Sequence, residues 1–299
     1  MKTGVQRGRQ CKKRKILGVF LGFFALAGAG WAGEAEVFRT SRVPVNGVVI
    51  AAHGLNLKPS KMGGPADEGT IVKALLDGGY HVVRAGFTGH SGEADAMAAV
   101  TEQAWLDDAR VCVSAARAEA GRVEAVTQSR CRLYLAAFSL GALVFEILMN
   151  EGAVFDKAVL FSPAVAIKSL SHGVLLLDTA GDGRIVPSRS PVEYRAGAGV
   201  SIAAYKALFA LEKRLESFSF AKNNIPTLVF IEPLDELVSY GKLKRLVTKY
   251  GLTNWKLQKV SNRGGRVRPA YHHLIIDDVC LGEESWAAVR RDMLDFLDG

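Results

Sequence analysis

The sequence predicts an α/β protein with a doubly wound, mainly parallel sheet, for three reasons. Strand-like and helix-like segments alternate along most of the chain, which is the pattern of βαβ units. The strand-like segments are continuous apolar runs, as expected where helices cover both faces of a sheet. One of them, LYLAAF, passes through Ser139 directly into an apolar helix.

The elements follow in order after a polar joint near Glu34–Arg42. Apolar runs predict the strands VNGVVIAAHG, HVVRAGF, CRLYLAAF, DKAVLFSPA, IPTLVFIEP and NWKLQKV. Apolar residues at helical spacing predict the helices ADEGTIVKALLDGGY, AMAAVTEQAWLDDARVCVSAARAEAG, LGALVFEILMN and SWAAVRRDMLDFLDG. The first of these helices ends at the helix stop Gly78-Gly79.

The region from about Val165 to Ala221 breaks the alternation. It contains the loop-like tract DTAGDGRIVPSRSP and then a helix-like segment, VSIAAYKALFALEKRLESF. A long insertion in a sheet protein of this kind typically covers the site as a lid or cap. We therefore predict one domain over residues 43–299 with a cap insertion at about 165–221, between the strand of the nucleophile and that of the acid.

The net charge of +8 comes from the N-terminus. Residues 1–29 hold seven basic and no acidic residues, and the remaining chain has 31 basic against 30 acidic ones. A nearly neutral domain gives no basis for nucleic-acid binding, and no nucleic-acid partner is expected.

The basic cluster Lys12–Lys15 is followed by an apolar run and then by small residues up to Ala32. This order is typical of a signal peptide, and the apolar run is short for a bilayer-spanning helix. We predict that residues 1–32 are an export signal, so that the protein is periplasmic or secreted. A retained N-terminal membrane anchor is the alternative.

Cysteine usage indicates neither a disulfide framework nor a metal site. Outside the N-terminal segment only Cys112, Cys131 and Cys280 remain, so at most one intramolecular bridge can form. No cysteine and histidine spacing is that of a zinc site. Buried free thiols are the favoured reading, and no metal is expected.

Ser139 lies in the segment Ala137-Phe138-Ser139-Leu140-Gly141, a G-x-S-x-G nucleophile elbow with alanine in the first glycine position. A buried hydroxyl without a partner costs stability, so packing alone does not explain this serine. It stands at the carboxyl end of a strand, where open α/β sheets bind ligands. We predict that Ser139 is a nucleophile.

A serine nucleophile needs a base, and the base needs a carboxylate that orients it. In nucleophile-elbow hydrolases the acid and then the histidine follow the serine along the chain. The segment LVFIEPLDELVS offers Asp235, with Glu232 and Glu236 as neighbours. We prefer Asp235, because it stands in a loop just before a helix that begins at about Leu237.

These segments together resemble the α/β-hydrolase superfamily, in the branch of monoglyceride lipases, lysophospholipases and serine aminopeptidase-like hydrolases. The resemblance covers about residues 43–299 and rests on AAHGLN, RAGFTGHSGE, AAFSLGA and AYHHLIID. Ser91 and Gly92 depart from the more usual Gly-x-Ser of the family's Gly-His-Gly loop.

The resemblance also implies the remaining site residues. It favours the first histidine after the tyrosine, His272, as the base, with His273 as the alternative. It implies an oxyanion hole formed by the backbone amides of Leu55 and Leu140. The imidazole of His53 is expected to be structural, and His90 is expected to organise the rim of the site.

The resemblance implies a serine hydrolase that cleaves carboxylic esters through an acyl-enzyme on Ser139, without a cofactor. Acyl lipids such as monoacylglycerol or lysophospholipid are the expected substrates, with small-molecule esters and peptides left open. Association with a membrane surface is also left open. Two other functions remain: a catalytically inactive hydrolase-fold binding module, and an acyltransferase that uses the same triad.

Overall fold

The centre of the protein is a seven-stranded sheet with the strand order β1-β3-β2-β4-β5-β8-β9. The strands are β1 (Ala35–Phe38), β2 (Gly47–Ala52), β3 (Tyr80–Ala85), β4 (Leu133–Phe138), β5 (Lys157–Phe161), β6 (Ile185–Pro187), β7 (Gly199–Ser201), β8 (Thr227–Ile231) and β9 (Trp255–Lys259). Only β1 runs antiparallel to its neighbour in this sheet. The predicted mainly parallel sheet is therefore confirmed.

The computed structural model describes residue 1 and residues 33–92, 96–268 and 271–299, with the backbone alone at 176–180. Apart from Met1, the predicted export segment 1–32 lies outside the described residues, so export and anchoring stay predictions. Within the described ranges, each helix is too short or too polar to span a bilayer.

Helices cover both faces of the sheet. They are α1 (Ile71–Asp77), α2 (Glu102–Thr127), α3 (Leu140–Asn150), α4 (Ile202–Glu216), α5 (Tyr240–Lys249), α6 (Asp278–Leu281) and α7 (Glu283–Asp298), with 3₁₀ segments at Pro59–Met62, Ser169–Ala180 and Ala221–Asn223. One core lies beneath α2, α3 and α4, and the other beneath α1, α6 and α7. Alternate residues of β2 enter opposite cores, which explains why the strand is apolar throughout.

Two helices begin later than the sequence predicts because a hydroxyl caps each of them. Thr101, in extended backbone, accepts a hydrogen bond from the Ala104 amide, so α2 begins at Glu102 rather than near Ala96. Ser239 caps α5 in the same way, so that helix begins at Tyr240 rather than near Leu237.

The segment predicted as a polar joint at 34–42 contains the antiparallel edge strand β1. Polar side chains of this segment form ion pairs: Glu36 pairs with Arg84 of β3, and Arg39 donates a hydrogen bond to Glu119 of α2 at 2.6 Å. An edge strand needs only one strand partner, so it carries no long apolar run that would reveal it in the sequence.

The region at 165–221 contains the 3₁₀ segment Ser169–Ala180, the short antiparallel pair β6–β7 and the helix α4. Helix α4 buries Leu208, Leu211 and Leu215 in the core beneath α2 and α3. This helix therefore belongs to the layer of helices that flanks the sheet. The covering role of the insertion stays a prediction.

Cys112, Cys131 and Cys280 are free thiols. Cys112 and Cys280 are buried, and burial raises the pKa of the Cys112 thiol to about 12. The prediction of buried free thiols is thus confirmed for Cys112 and Cys280, whereas Cys131 is a free thiol that is only half-buried.

Gly141 at the start of α3 lies directly against the end of β2. A Cβ atom there would lie 2.8 Å from both the Cβ of Ala52 and the carbonyl oxygen of His53. We expect Gly141→Ala to destabilise the protein by about 1–3 kcal/mol, measured by thermal or urea unfolding, because backbone atoms must move. Gly121→Ala in α2, where a Cβ meets nothing within 4 Å, is the control and should be neutral or stabilising. Equal effects of the two substitutions would contradict this account.

Glu146 of α3 is a fully buried carboxyl group. The side-chain amide of Asn223 donates to its Oε2, and Oε1 has no partner among the described residues. Burial, opposed by this hydrogen bond, raises the pKa of Glu146 to about 8.

Since the folded pKa lies above the ordinary value, the protonated carboxyl favours the folded state at acid pH, and this contribution is lost as the pH rises towards 8. We expect Glu146→Gln, which stays neutral, to be more stable than the wild type near pH 9, by an amount of the order of 4 kcal/mol. The difference should shrink towards about pH 5. Urea unfolding across this range measures it, and a difference independent of pH would refute the assignment.

Candidate active site

Ser139 stands at a strained turn between β4 and α3. Its φ of 50° and ψ of −112° are rare for a residue with a side chain. Both of its backbone polar groups are bonded to β5 and the residues that follow it: its amide donates to the Phe161 carbonyl at 3.0 Å, and its carbonyl accepts from the Ala164 amide at 3.1 Å. These bonds hold the predicted nucleophile elbow in its conformation.

The side chain next to Ser139 is that of His273. The distance from His273 Nε2 to Ser139 Oγ is 2.9 Å, and His273 Nδ1 lies 2.8 Å from Asp235 Oδ2. A carboxylate only accepts hydrogen bonds, so Nδ1 carries the proton and Nε2 is free to accept from the serine hydroxyl. The ring is buried and packs against Phe138.

Asp235 is completely buried in the turn after β8. Its Oδ1 accepts from the amides of Leu237 and Val238, each at 2.8 Å, and its Oδ2 accepts from His273. Burial by itself would raise the pKa of Asp235. The adjacent His273 and the two amides outweigh that effect and hold the pKa below its ordinary value. The carboxylate is therefore ionised and fixed against the imidazole.

The expectation that His272 is the residue beside Ser139 is wrong, and the alternative His273 takes that position. The His272 ring is bonded elsewhere: its Nδ1 lies 2.8 Å from Asn262 Oδ1 and 3.7 Å from Glu232 Oε2. Two consecutive residues of a turn point their side chains in different directions. The family pattern that favoured the first histidine therefore does not transfer to this loop.

The other acidic candidates near Asp235 have different partners. Glu232 is buried and accepts from the amide of Leu234, while Glu236 accepts from the backbone amides of His272 and His273. In the sequence, Glu236 stands out only as a neighbour of the preferred Asp235. Its position directly after that residue was the one available signal of its contact with the histidine loop.

Leu55 and Leu140, the predicted oxyanion donors, lie on two loops that meet at Ser139. Leu140 is the first residue of α3, and Leu55 follows Gly54, where an added Cβ would lie 3.1 Å from the Ser139 Cβ. The Gly141 amide donates to the His53 carbonyl at 3.0 Å and joins the loops. In the part of the chain that the structure describes, the amides of Leu55 and Leu140 have no hydrogen-bond acceptor. Both are thus available to a substrate oxygen.

Two buried, neutral histidines support the loop that carries Leu55. The Nε2 of His53 accepts from the Phe87 amide at 3.1 Å, and its Nδ1 faces the Gly54 carbonyl at 2.9 Å. The Nε2 of His90 accepts from the Asn56 amide at 3.0 Å. Burial lowers the pKa of both rings, that of His90 to about 4. The structure thus agrees with the expected structural role of the His53 ring.

A segment of the insertion also fastens this loop. The Asn56 side chain accepts from the Gly197 amide at 2.8 Å and donates to the Gly197 carbonyl at 3.3 Å. The Ala196 amide donates to the Asn56 carbonyl, and the Lys58 amide donates to the Tyr194 carbonyl, both at 2.9 Å. Residues 194–197 therefore lie directly beside the candidate oxyanion loop.

Among the described residues, cavities also lie outside the serine site. One of about 750 Å³ lies between α4 and α5, and its lining includes Leu215, Phe220 and Tyr250 but none of Ser139, Asp235 or His273. One of about 360 Å³ adjoins the oxyanion loop at Lys58–Ser60 and Gly86–Gly92. Among the described residues, no cluster of histidine, cysteine, aspartate and glutamate is arranged to hold a metal ion.

Comparison with solved structures identifies the fold. A structure from a study of two metagenome-derived lipolytic enzymes, LipS and LipT, matches 88% of this chain and 97% of its own, with a TM-score of 0.67 and 18% identity. A soluble variant of monoglyceride lipase from Saccharomyces cerevisiae matches 89% of this chain and 91% of its own, with a TM-score of 0.66 and 12% identity. This chain has the α/β-hydrolase fold.

A third α/β-hydrolase, monoacylglycerol lipase from Paleococcus ferrophilus, matches 89% of this chain and 98% of its own, with a TM-score of 0.60 and 16% identity. No family model and no curated protein matches the sequence. At these identities the similarity is one of α/β-hydrolase fold, and activity has to be argued from the site itself.

The hydrogen bond from the Asn56 amide to His90 requires a neutral imidazole, so we expect the protein to lose stability in acid. An unfolded chain takes up a proton on this histidine below about pH 6.5, whereas the folded protein takes it up only near pH 4. Stability should therefore fall as the pH drops from 6.5 to 4, by an amount of the order of 3 kcal/mol from this residue. His90→Gln retains an acceptor for Asn56 and cannot be protonated, so its urea-unfolding free energy should fall less steeply. Identical slopes for the variant and the wild type would contradict this role of His90.

Proposed function

We propose that the protein is a serine hydrolase that cleaves carboxylic esters through an acyl-enzyme on Ser139. The observation that carries the proposal is the unbroken hydrogen-bonded series Ser139–His273–Asp235, with distances of 2.9 and 2.8 Å. This is the arrangement that converts a weakly nucleophilic hydroxyl into an effective one. The lipolytic enzymes and the monoglyceride lipase among the structures of the same fold add support.

In the first half-reaction, Ser139 Oγ attacks the ester carbonyl carbon and its proton passes to His273 Nε2. The electron pair of the carbonyl moves to its oxygen, which the Leu55 and Leu140 amides stabilise as an oxyanion. Asp235 stabilises the imidazolium that forms. The intermediate then collapses, the bond to the alcohol breaks, and the departing oxygen takes the proton from His273.

The second half-reaction uses water in place of Ser139. His273 Nε2 removes a proton from the water as its oxygen attacks the acyl carbonyl, and the oxyanion forms again between the same two amides. Collapse breaks the bond to Ser139 Oγ, which recovers a proton from His273. The products are a carboxylic acid and the original enzyme, and the protein's own residues supply every proton transfer.

For the substrate we propose an acyl lipid with one ester-linked chain, such as monoacylglycerol or lysophospholipid. The support is that two of the structures of similar fold are monoglyceride and monoacylglycerol lipases. The residues at 194–197 lie beside the oxyanion loop, so the insertion is placed where it can contact a bound ester.

An acyltransferase is the second candidate, because the acyl-enzyme is shared and an alcohol then replaces water. A pure binding module is disfavoured, because it has no need of a buried imidazole fixed between a carboxylate and a strained serine. Product analysis with and without an added acceptor alcohol distinguishes hydrolysis from transfer.

A panel of soluble esters, monoacylglycerols and lysophospholipids, assayed with four variants, tests the proposal. Ser139→Ala, His273→Gln and Asp235→Asn should each lower kcat/KM by about 10³-fold or more, because each removes a member of the series. His272→Gln is the matched control from the adjacent position and should stay within about threefold, because that ring turns away from Ser139.

A fluorophosphonate probe provides a second readout, since it labels only an activated serine. The wild type and His272→Gln should be labelled at Ser139, and His273→Gln should not. Full activity in Ser139→Ala would refute the proposal. Loss of activity in His272→Gln together with an active His273→Gln would restore the original assignment of the base.

A further inference from the structure

Glu236 holds the backbone of the two histidines. Its Oε1 accepts a hydrogen bond from the His272 amide at 3.0 Å, and its Oε2 accepts from the His273 amide at 2.9 Å. One carboxylate thus binds two consecutive amides across 36 and 37 positions of sequence. Hydrogen bonds to an ionised acceptor are stronger than those between neutral groups.

The neighbouring residues Asp235 and Glu236 bind two different parts of His273. Asp235 accepts from the ring nitrogen Nδ1, and Glu236 accepts from the backbone amide of the same residue. A bond to the ring alone leaves the Cα of His273 free to shift while the ring pivots about Asp235. With the amide also held, the direction from Cα to Ser139 is fixed.

Other bonds in the histidine loop do not replace the contact with Glu236. Within the described part of the loop, the Leu274 amide donates to the Tyr271 carbonyl at 3.3 Å, and Asn262 Nδ2 donates to the same carbonyl at 3.2 Å. Neither bond involves the amide of His272 or His273. Without Glu236, both amides lose their acceptor.

Glu236 is also not required as a helix cap. Helix α5 begins at Tyr240, and its N-cap is Ser239, whose hydroxyl accepts from the Lys242 amide. The turn between Asp235 and α5 is held by Asp235 itself, through the amides of Leu237 and Val238. The Glu236 carboxylate therefore acts on the histidine loop rather than on its own element.

We propose that Glu236 is a positioning residue, which fixes the backbone of His273 so that its Nε2 stays within reach of the Ser139 hydroxyl. This inference rests on the proposed serine hydrolase function. It assigns Glu236 no contact with substrate. Small displacements of a catalytic group lower the rate strongly, because the reacting atoms must meet at a defined distance and angle.

The test compares Glu236→Ala and Glu236→Gln with the wild type on a soluble ester. Glu236→Ala should lower kcat by 10–100-fold, the range usual for residues that orient a functional side chain, and leave KM within about twofold. Glu236→Gln should retain an intermediate kcat, because its single carbonyl oxygen can serve one amide while its NH₂ group faces the other. The rate of fluorophosphonate labelling at Ser139 should follow the same order.

Glu284→Gln, an exposed glutamate in the first turn of α7, is the matched control and should leave kcat unchanged. Thermal unfolding of each variant separates a positioning effect from loss of fold, and the isosteric Glu236→Gln carries the test if Glu236→Ala fails to fold. Wild-type kcat in a folded Glu236 variant would overturn the inference, as would a loss expressed only in KM. Ser139→Ala in the same assay distinguishes the two proposals, because activity in that variant would refute the hydrolase function whatever Glu236 does.

Discussion

The site depends on the backbone of Ser139, which is held with a positive φ between a strand and a helix. A residue with a side chain adopts this conformation only when its surroundings enforce it. Here the amide and carbonyl of Ser139 are both bonded to β5 and the residues after it, and the Gly141 amide is bonded to His53. Neighbouring strands on both sides of β4 thus hold the turn, and the hydroxyl points away from the sheet where the other groups meet it.

Polar side chains hold the loops at this end of the sheet together, because these loops have little regular structure. The neutral imidazoles of His53 and His90 each accept a hydrogen bond from a backbone amide. The carboxylates of Asp235 and Glu236 also accept from backbone amides. Each bond joins a loop to another loop that is remote in sequence or stiffens a turn. Loops that follow different strands are thereby tied into one rigid unit, which is what a preorganised site requires.

Much of the fold could be predicted from local patterns. Apolar runs predicted the six main parallel strands, and helical periodicity predicted the helices α1, α2, α3, α4 and α7. The edge strand β1 and the short pair β6–β7 were not predicted, because short or half-exposed strands have few apolar residues in a run. Helix starts were misplaced by a few residues where a hydroxyl cap, at Thr101 or Ser239, ended the extended backbone.

The sequence by itself pointed to Ser139 and Asp235, because the elbow around Ser139 and the loop position of Asp235 are local features. It also left two adjacent histidines, His272 and His273, as the candidate partner of Ser139. Only the tertiary structure decided between them. The direction of each ring depends on backbone angles in the loop. The amides of this loop are bonded to Glu236, 36 and 37 positions away, and the His272 ring is bonded to Asn262, ten positions away. No local pattern encodes the contact with Glu236, since it exists only once β8 and β9 have brought the two loops together.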